Sequence, residues 1–268
     1  MAISARHLAL AVPAALLGGA YVFPGGKLDA ADAELDPARH LDQTPDTLHR
    51  QLAEPELEPS RASGLYVAAL REAFEESGIL FAHGPQGQAP DAVLAGERLR
   101  AGESFGQVLQ AMSLQLSTRL LVPWSRWITP KKASVSTQRF DTRFFVAAVP
   151  DGQDAVHDNV ETTHSLWLRP RQALEDYWAR QIDLAPPQIM SLVQLLGHDT
   201  VQSVLESSRQ RPPATIQPEP FDDQGVRTIC YPGDPLHSQA ERAMQGPTRL
   251  RFVDRRFEPV GGFEAFFA

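Results

Sequence analysis

Cysteine is nearly absent from these 268 residues: Cys230 stands alone. One thiol cannot form an internal disulfide, so packing must hold the fold, and a reducing compartment fits. Positive charge is also short, with 25 Lys and Arg against 33 Asp and Glu and a net charge of −8. That balance argues against general affinity for nucleic acid or a membrane surface. The eight histidines show no His-x-His or His-Glu-x-x-His spacing, which leaves a zinc site unsupported. No apolar run reaches the roughly 20 residues that span a bilayer. Arg6-His7 followed by residues 8–20 has the outline of a signal peptide. It reads better as a buried strand leading into Tyr21, because cleavage near Ala20 would remove that strand from the fold. Internal repeats and coiled-coil heptads are missing too.

What is present is an ordinary apolar fraction, 43%, enough for a substantial core in one large domain or a domain with an extension. The strongest local signal is Arg71-Glu72-Ala73-Phe74-Glu75-Glu76-Ser77-Gly78-Ile79. On a helix Glu72, Glu75 and Glu76 fall at i, i+3 and i+4, on one face, with Val67, Leu70 and Phe74 opposite. Gly78 is placed to stop the helix in a left-handed cap. Three like charges on one face repel, and a cation between them removes that cost; oxygen ligands of this kind suit Mg²⁺ or Mn²⁺. A solvated acidic face would explain an isolated Glu pair. The five fixed positions of R-E-x-x-E-E-x-G recur by chance only on the order of once in a million windows.

Along the chain, residues 8–23 read as strand and turn. Residues 27–62 are rich in Asp, Glu and Pro and poor in apolar periodicity, which predicts an irregular, partly mobile insertion with a short helix near 46–52. The acidic helix is expected over about 65–77. Apolar residues spaced from Phe105 to Leu120 predict one helix over 103–121. Strands are expected near 124–129, 139–149 and 165–168, and a helix from Pro170 to Ala179. A longer helix is expected from Pro186 to Ser207, with strands near 226–231 and 250–253 around a turn at Pro232-Gly233-Asp234. The order predicts an α/β (α+β) fold, a mixed sheet between helices in an α/β/α sandwich.

The acidic helix resembles the second half of the Nudix box, G-x5-E-x7-R-E-U-x-E-E-x-G-U, with U an aliphatic residue. The first half is displaced: Phe23-Pro24-Gly25-Gly26 resembles the loop that precedes the helix, and Asp32 stands where the box has Glu. Further segments are similar to the branch of Nudix hydrolases that includes coenzyme A diphosphatases. They are Trp127-Ile128-Thr129-Pro130, Arg139-Phe140-Asp141-Thr142-Arg143-Phe144-Phe145, Trp167-Leu168-x-Pro170 and Leu184-Ala185-Pro186-Pro187-Gln188. The likeness covers about residues 20–190. It implies a Nudix domain over 1–183 with an insertion at about 33–62, and a helical extension over 184–268 packed on the same domain.

The reaction implied by the resemblance is metal-dependent hydrolysis of a diphosphate linkage. The substrate expected first is coenzyme A or acyl-CoA, giving adenosine 3′,5′-bisphosphate and 4′-phosphopantetheine. The alternatives are another nucleotide such as ADP-ribose, or a catalytically weak ligand-binding module. Glu72, Glu75 and Glu76 are the expected ligands of Mg²⁺ or Mn²⁺. Arg71 orients a carboxylate, and Gly25 and Gly26 allow close backbone approach. Glu161 is the candidate base, with Asp158 nearby as the alternative. Between Arg119 and Arg143 six basic residues (Arg119, Arg126, Lys131, Lys132, Arg139, Arg143) face one acid, Asp141. Lys132, Arg139 and Arg143 are therefore expected to hold a 3′-phosphate. The expected partner is a small nucleotide, neither nucleic acid nor membrane, in a bacterial cytoplasm; the sequence leaves oligomeric state open.

Overall fold

A computed structural model describes residues 8–13, 21–130, 139–153 and 162–268. The chain opens with β1 (Leu8–Pro13) and then passes Tyr21 and the glycine loop at 23–26. Three short helices follow: α1 (Ala30–Glu34), α2 (Pro37–His40) and α3 (Pro45–Leu52). The long helix α4 (Pro59–Ser77) ends at Gly78, whose φ of 71° and N–H bond to the Phe74 carbonyl form the left-handed stop. Next come β2 (Ala82–His83), α5 (Ala92–Arg100), α6 (Phe105–Ala111) and β3 (Gln115–Leu116). The strands β4 (Val122–Ile128), β5 (Asp141–Val146) and β6 (Thr162–Leu168) precede α7 (Pro170–Trp178), α8 (Pro186–Leu195) and α9 (Val201–Arg209). The chain closes through β7 (Ala214–Ile216), β8 (Glu219–Asp223), β9 (Val226–Cys230), β10 (Arg249–Val253) and β11 (Arg256–Pro259).

The architecture is mixed α/β, as expected, with the strands among the described residues shared by four sheets. The mixed one has β4 at its centre, antiparallel to β5 and parallel to β7. β1 pairs antiparallel with β6, so residues 8–13 do lead the fold as a strand. An isolated parallel bridge between Tyr21 and Leu184 fixes the entry to the glycine loop beside the start of α8. One core packs α4 against α3 and α6 through Leu48, Tyr66, Leu70, Leu109 and Leu116; a second joins α7, α8 and the C-terminal strands through Tyr177, Ile189, Ile229 and Leu250. Each fully buried side chain of this size contributes about 1.5–3 kcal/mol. Cys230 lies in that second region, its thiol pushed up to about 11 chiefly by burial, which keeps it protonated and unreactive.

The short helix expected near 46–52 is present as α3, while four other expectations are corrected. The insertion is helical and packed: Leu41, Leu48 and Leu52 are buried in the first core. Asp36 and Thr44 cap α2 and α3, each followed by proline at the first helical position, where it starts a helix. The single helix over 103–121 breaks after Ala111, where Ser113 takes φ 53°; Leu116 and Leu120 continue the apolar spacing from β3 and a 3-10 turn. The helix from Pro186 is likewise two, α8 and α9, the second restarted by a Thr200 cap. The extension is helical only to Arg209 and then becomes the four-stranded antiparallel sheet β8–β11. Among the described residues no helix is long and apolar enough to cross a membrane.

Candidate active site

Helix α4 carries the acidic face. Val67, Leu70 and Phe74 anchor it in the core, and Glu72 and Glu76, one turn apart, are buried near its end. Glu75 is more open, its side chain 34% exposed. Between these carboxylates lies Arg71. Its Nε donates to Asp32 Oδ1 at 2.9 Å and Nη2 to Asp32 Oδ2 at 3.0 Å, a two-point fork. Nη1 donates to Glu72 Oε1 and Glu75 Oε2, both at 2.9 Å, and Nη2 also reaches the Lys27 carbonyl at 3.0 Å. Burial works against this guanidinium's charge; the hydrogen bond to Asp32 and the fields of Glu72, Asp32 and Glu75 outweigh it and raise its pKa further. Arg71 is therefore permanently charged. The buried Asp32, accepting the Asp29 N–H at 2.9 Å, joins the displaced half of the motif to the helix across 39 residues.

The glycine loop closes the other side. Gly25 N–H donates to Glu76 Oε2 at 3.3 Å. A Cβ on Gly26 would lie 2.2 Å from Glu72 Oε1, so only glycine lets the loop pass this carboxylate. Gly26→Ala should displace the flexible Glu72 carboxylate rather than unfold the chain. The expected result is a loss of about 10²-fold in turnover, the cost of a misplacement near 1 Å, with a nearly unchanged melting curve. Steady-state kinetics beside thermal unfolding checks it, and a variant as active as the parent would show that the close approach is incidental.

The donor set suits a hard divalent cation, because carboxylate oxygens supply it with no sulfur or imidazole among them. Among the described residues no three such groups converge as a ready metal site. Arg71 draws Glu72 and Glu75 toward itself, and Gly25 holds Glu76.

The basic segment looks different in space than in sequence. Arg143 forks onto Glu54, Nε to Oε1 at 2.9 Å and Nη2 to Oε2 at 2.5 Å. Arg126 meets Glu54 at 2.9 Å and forks onto Asp141 at 2.8 Å. That hydrogen bond to Asp141, against the cost of burial and with the field of Glu54, raises the pKa of Arg126. Arg119 pairs with Asp42 at 3.4 Å. Arg119, Arg126 and Arg143 are thus paired, by Asp42 and Glu54 of the insertion as well as by Asp141, and no local spacing could reveal the insertion's part. Arg139 is exposed on the wall of the cleft described next. Lys132, Glu161 and Asp158 lie outside the described residues, and His164 falls on β6.

The glycine loop, Glu72 and the Glu54–Arg126–Arg143 cluster border a cleft of about 1820 Å³, beyond the usual range of roughly 300–1,000 Å³ for small-ligand pockets. Gly25, Gly26, Glu72, Arg139 and Arg143 line it, with Gln188 and Ser191 of α8 and Phe252 and Phe257 of the C-terminal sheet. Sequence reasoning missed the last four, whose contribution depends on how the extension folds back.

Residues 8–195 match the family model described as the NUDT19 Nudix domain. The acyl-coenzyme A diphosphatase NUDT19 of Gallus gallus is 29% identical over 229 residues, covering 72% of this chain and 61% of its own length. Its namesake in Xenopus laevis is 29% identical over 261 residues, covering 82% and 67%. A putative nudix hydrolase 7 of Caenorhabditis elegans is 26% identical over 238 residues, covering 87% and 69%. This chain thus spans less than two thirds of the chicken relative. Among solved structures, a NUDIX hydrolase from Alicyclobacillus acidocaldarius superposes with a TM-score of 0.61 at 25% identity, covering 77% of this chain and 89% of that one.

Proposed function

The chain belongs to the NUDT19 Nudix domain family, and we propose that it hydrolyses the diphosphate linkage of coenzyme A or an acyl-CoA to adenosine 3′,5′-bisphosphate and a 4′-phosphopantetheine. The observation that carries this reading is the closure of the split motif. Asp32 and Arg71 meet, and the glycine loop touches Glu72 and Glu76 beside a cleft large enough for a nucleotide joined to a long second arm. Two relatives bear the name acyl-coenzyme A diphosphatase, which supports the substrate class.

Nudix hydrolases generally use divalent metal ions. Here Glu72, Glu75 and Glu76 would hold one, Mg²⁺ or Mn²⁺. Such an ion, when bound, neutralises the diphosphate and lowers the pKa of its water. Arg71 keeps Glu72 and Glu75 aligned, and Gly25 and Gly26 leave the phosphates a path along the backbone. Glu161 is the proposed base on the family likeness.

Because Arg143 is committed to Glu54, Arg139 becomes the leading described cation for a 3′-phosphate, with Lys132 seven positions before it in the sequence. The test is a panel of CoA, 3′-dephospho-CoA, acyl-CoA and ADP-ribose with Mg²⁺, products resolved by mass. CoA should exceed its dephospho form by about ten- to a hundredfold in kcat/KM, the value of one charge-assisted contact. Arg139→Ala should narrow that ratio. Equal rates on the two forms would sink the 3′-phosphate assignment, and cleavage of ADP-ribose alone would replace the CoA reading.

A further inference from the structure

Helix α8 holds two polar side chains that its fold leaves unsatisfied. Gln188 is 6% exposed and Ser191 2%, yet Gln188 Oε1 and Ser191 Oγ have no hydrogen-bond partner. They are three residues apart, on one helix face, and both line the cleft. Leu195, one turn beyond Ser191, continues that face and packs with Trp124 of β4, whose Nε1–H is equally buried and unpaired and which also lines the cleft. Buried polar atoms are nearly always paired, because each orphan costs free energy. Arg256 Nε, also on this cleft, faces the Asp183 carboxylate at 3.8 Å; the three uncharged groups have no such neighbour and call for a partner that arrives from outside.

The chemistry of the set narrows that partner. Gln188 Oε1 only accepts, Trp124 Nε1–H only donates, and Ser191 Oγ does both. None is charged, so phosphate is a poor match. A stacked base is a poor match too, since Arg211 covers the Trp124 ring at 5.0 Å from its centroid and His198 meets its edge. A chain of secondary amides, each with one N–H and one C=O, suits the set. The Tyr21–Leu184 bridge sets the segment entering the glycine loop next to the start of α8, so a diphosphate held at the loop lies within reach of this helix for the arm attached to it.

We propose that Gln188, Ser191 and Trp124 form an uncharged subsite that takes up the amides of a pantetheine arm, with small side-chain rotations of Gln188 and Ser191 presenting their oxygens on binding. This inference rests on the CoA reading above. It explains why the polar atoms persist at a cost to the ligand-free fold.

Calorimetric binding of 4′-phosphopantetheine and of adenosine 3′,5′-bisphosphate to the whole protein, parent against Ser191→Ala and Gln188→Leu, tests it. Each variant should weaken 4′-phosphopantetheine about three- to tenfold, the worth of a neutral hydrogen bond, and leave the nucleotide's affinity within twofold. Both should melt at or above the parent temperature, because an unpaired buried polar group has been removed. In kinetics with CoA the loss should fall on KM. A shift in nucleotide affinity instead, no shift in either ligand, or a lowered melting temperature showing a structural partner for the side chain would overturn the subsite. If the parent turns over no CoA compound, the CoA reading itself fails and the subsite with it. Normal CoA cleavage with variant-insensitive 4′-phosphopantetheine binding would remove the subsite alone.

Discussion

Glu75→Gln should lower kcat/KM on the order of 10³-fold, the scale seen when a charge-stabilising group is removed from a reacting site. The change keeps the side chain's shape, and a glutamine oxygen still accepts from Arg71 Nη1. Only the charge is lost. Because the Glu75 side chain is 34% exposed, its ion pair with Arg71 contributes at most about 1 kcal/mol after solvent screening. Stability should therefore hardly move, while Asp32 and Glu72 keep Arg71 in place. Turnover and a urea melt of the same preparation separate the two effects. A glutamine variant with parental turnover would take this helix out of the chemistry, and the functional proposal would fall with it.

Glu54→Ala should destabilise the fold by about 3–5 kcal/mol, the cost of removing one partner from a buried ion network. Glu54 is 6% exposed and receives both Arg126 and Arg143. These arginines are directly opposed in the β4–β5 ladder, with side chains only 19% and 12% exposed. Without Glu54 two like charges face each other with Asp141 bridging them and the exposed Glu56 reaching only Arg126, at 3.6 Å, and the join between α3 and α4 loses most of its tie to the sheet. Adding Arg143→Met to the Glu54 variant should recover part of the loss, because the stranded cation goes too. Urea unfolding of the three proteins measures it. A loss under about 1 kcal/mol for Glu54→Ala would mean the network is solvent-screened after all.

The site was legible wherever its logic is local. The acidic helix and its glycine stop follow from spacing, whereas the glycine loop and the match of Asp32 to Arg71 come from the family resemblance, because the motif's two halves are recognisable apart. β4, β5 and α7 also stand close to their expected places, carried by β-branched and aromatic runs and by proline at a first turn. The insertion was legible only at its short helix near 46–52, which is α3; its proline-rich composition hides α2 and the burial of Leu41. In Asp36-Pro37 and Thr44-Pro45 proline follows a capping residue and begins a helix. The edge strands β8 and β11 escaped notice because edges tolerate the charge and proline that argue against a strand. Charge was misjudged for a different reason: Glu54 and Arg143 are 89 positions apart, and no window along the chain contains both.

The contact between Asp32 and Arg71 also sets an order of events during folding. The helix α4 can form from its own turn-to-turn bonds, but the charge-bearing face is complete only when the chain has closed a loop of 39 residues. Asp32 lies on α1, so docking α1 on α4 closes this loop, with α2 and α3 in the span between them. As the chain leaves a ribosome, Gly25, Gly26 and Asp32 emerge early and wait for a helix made later. The acidic cluster therefore cannot be complete before α1 has docked on α4, and both must have left the ribosome by then.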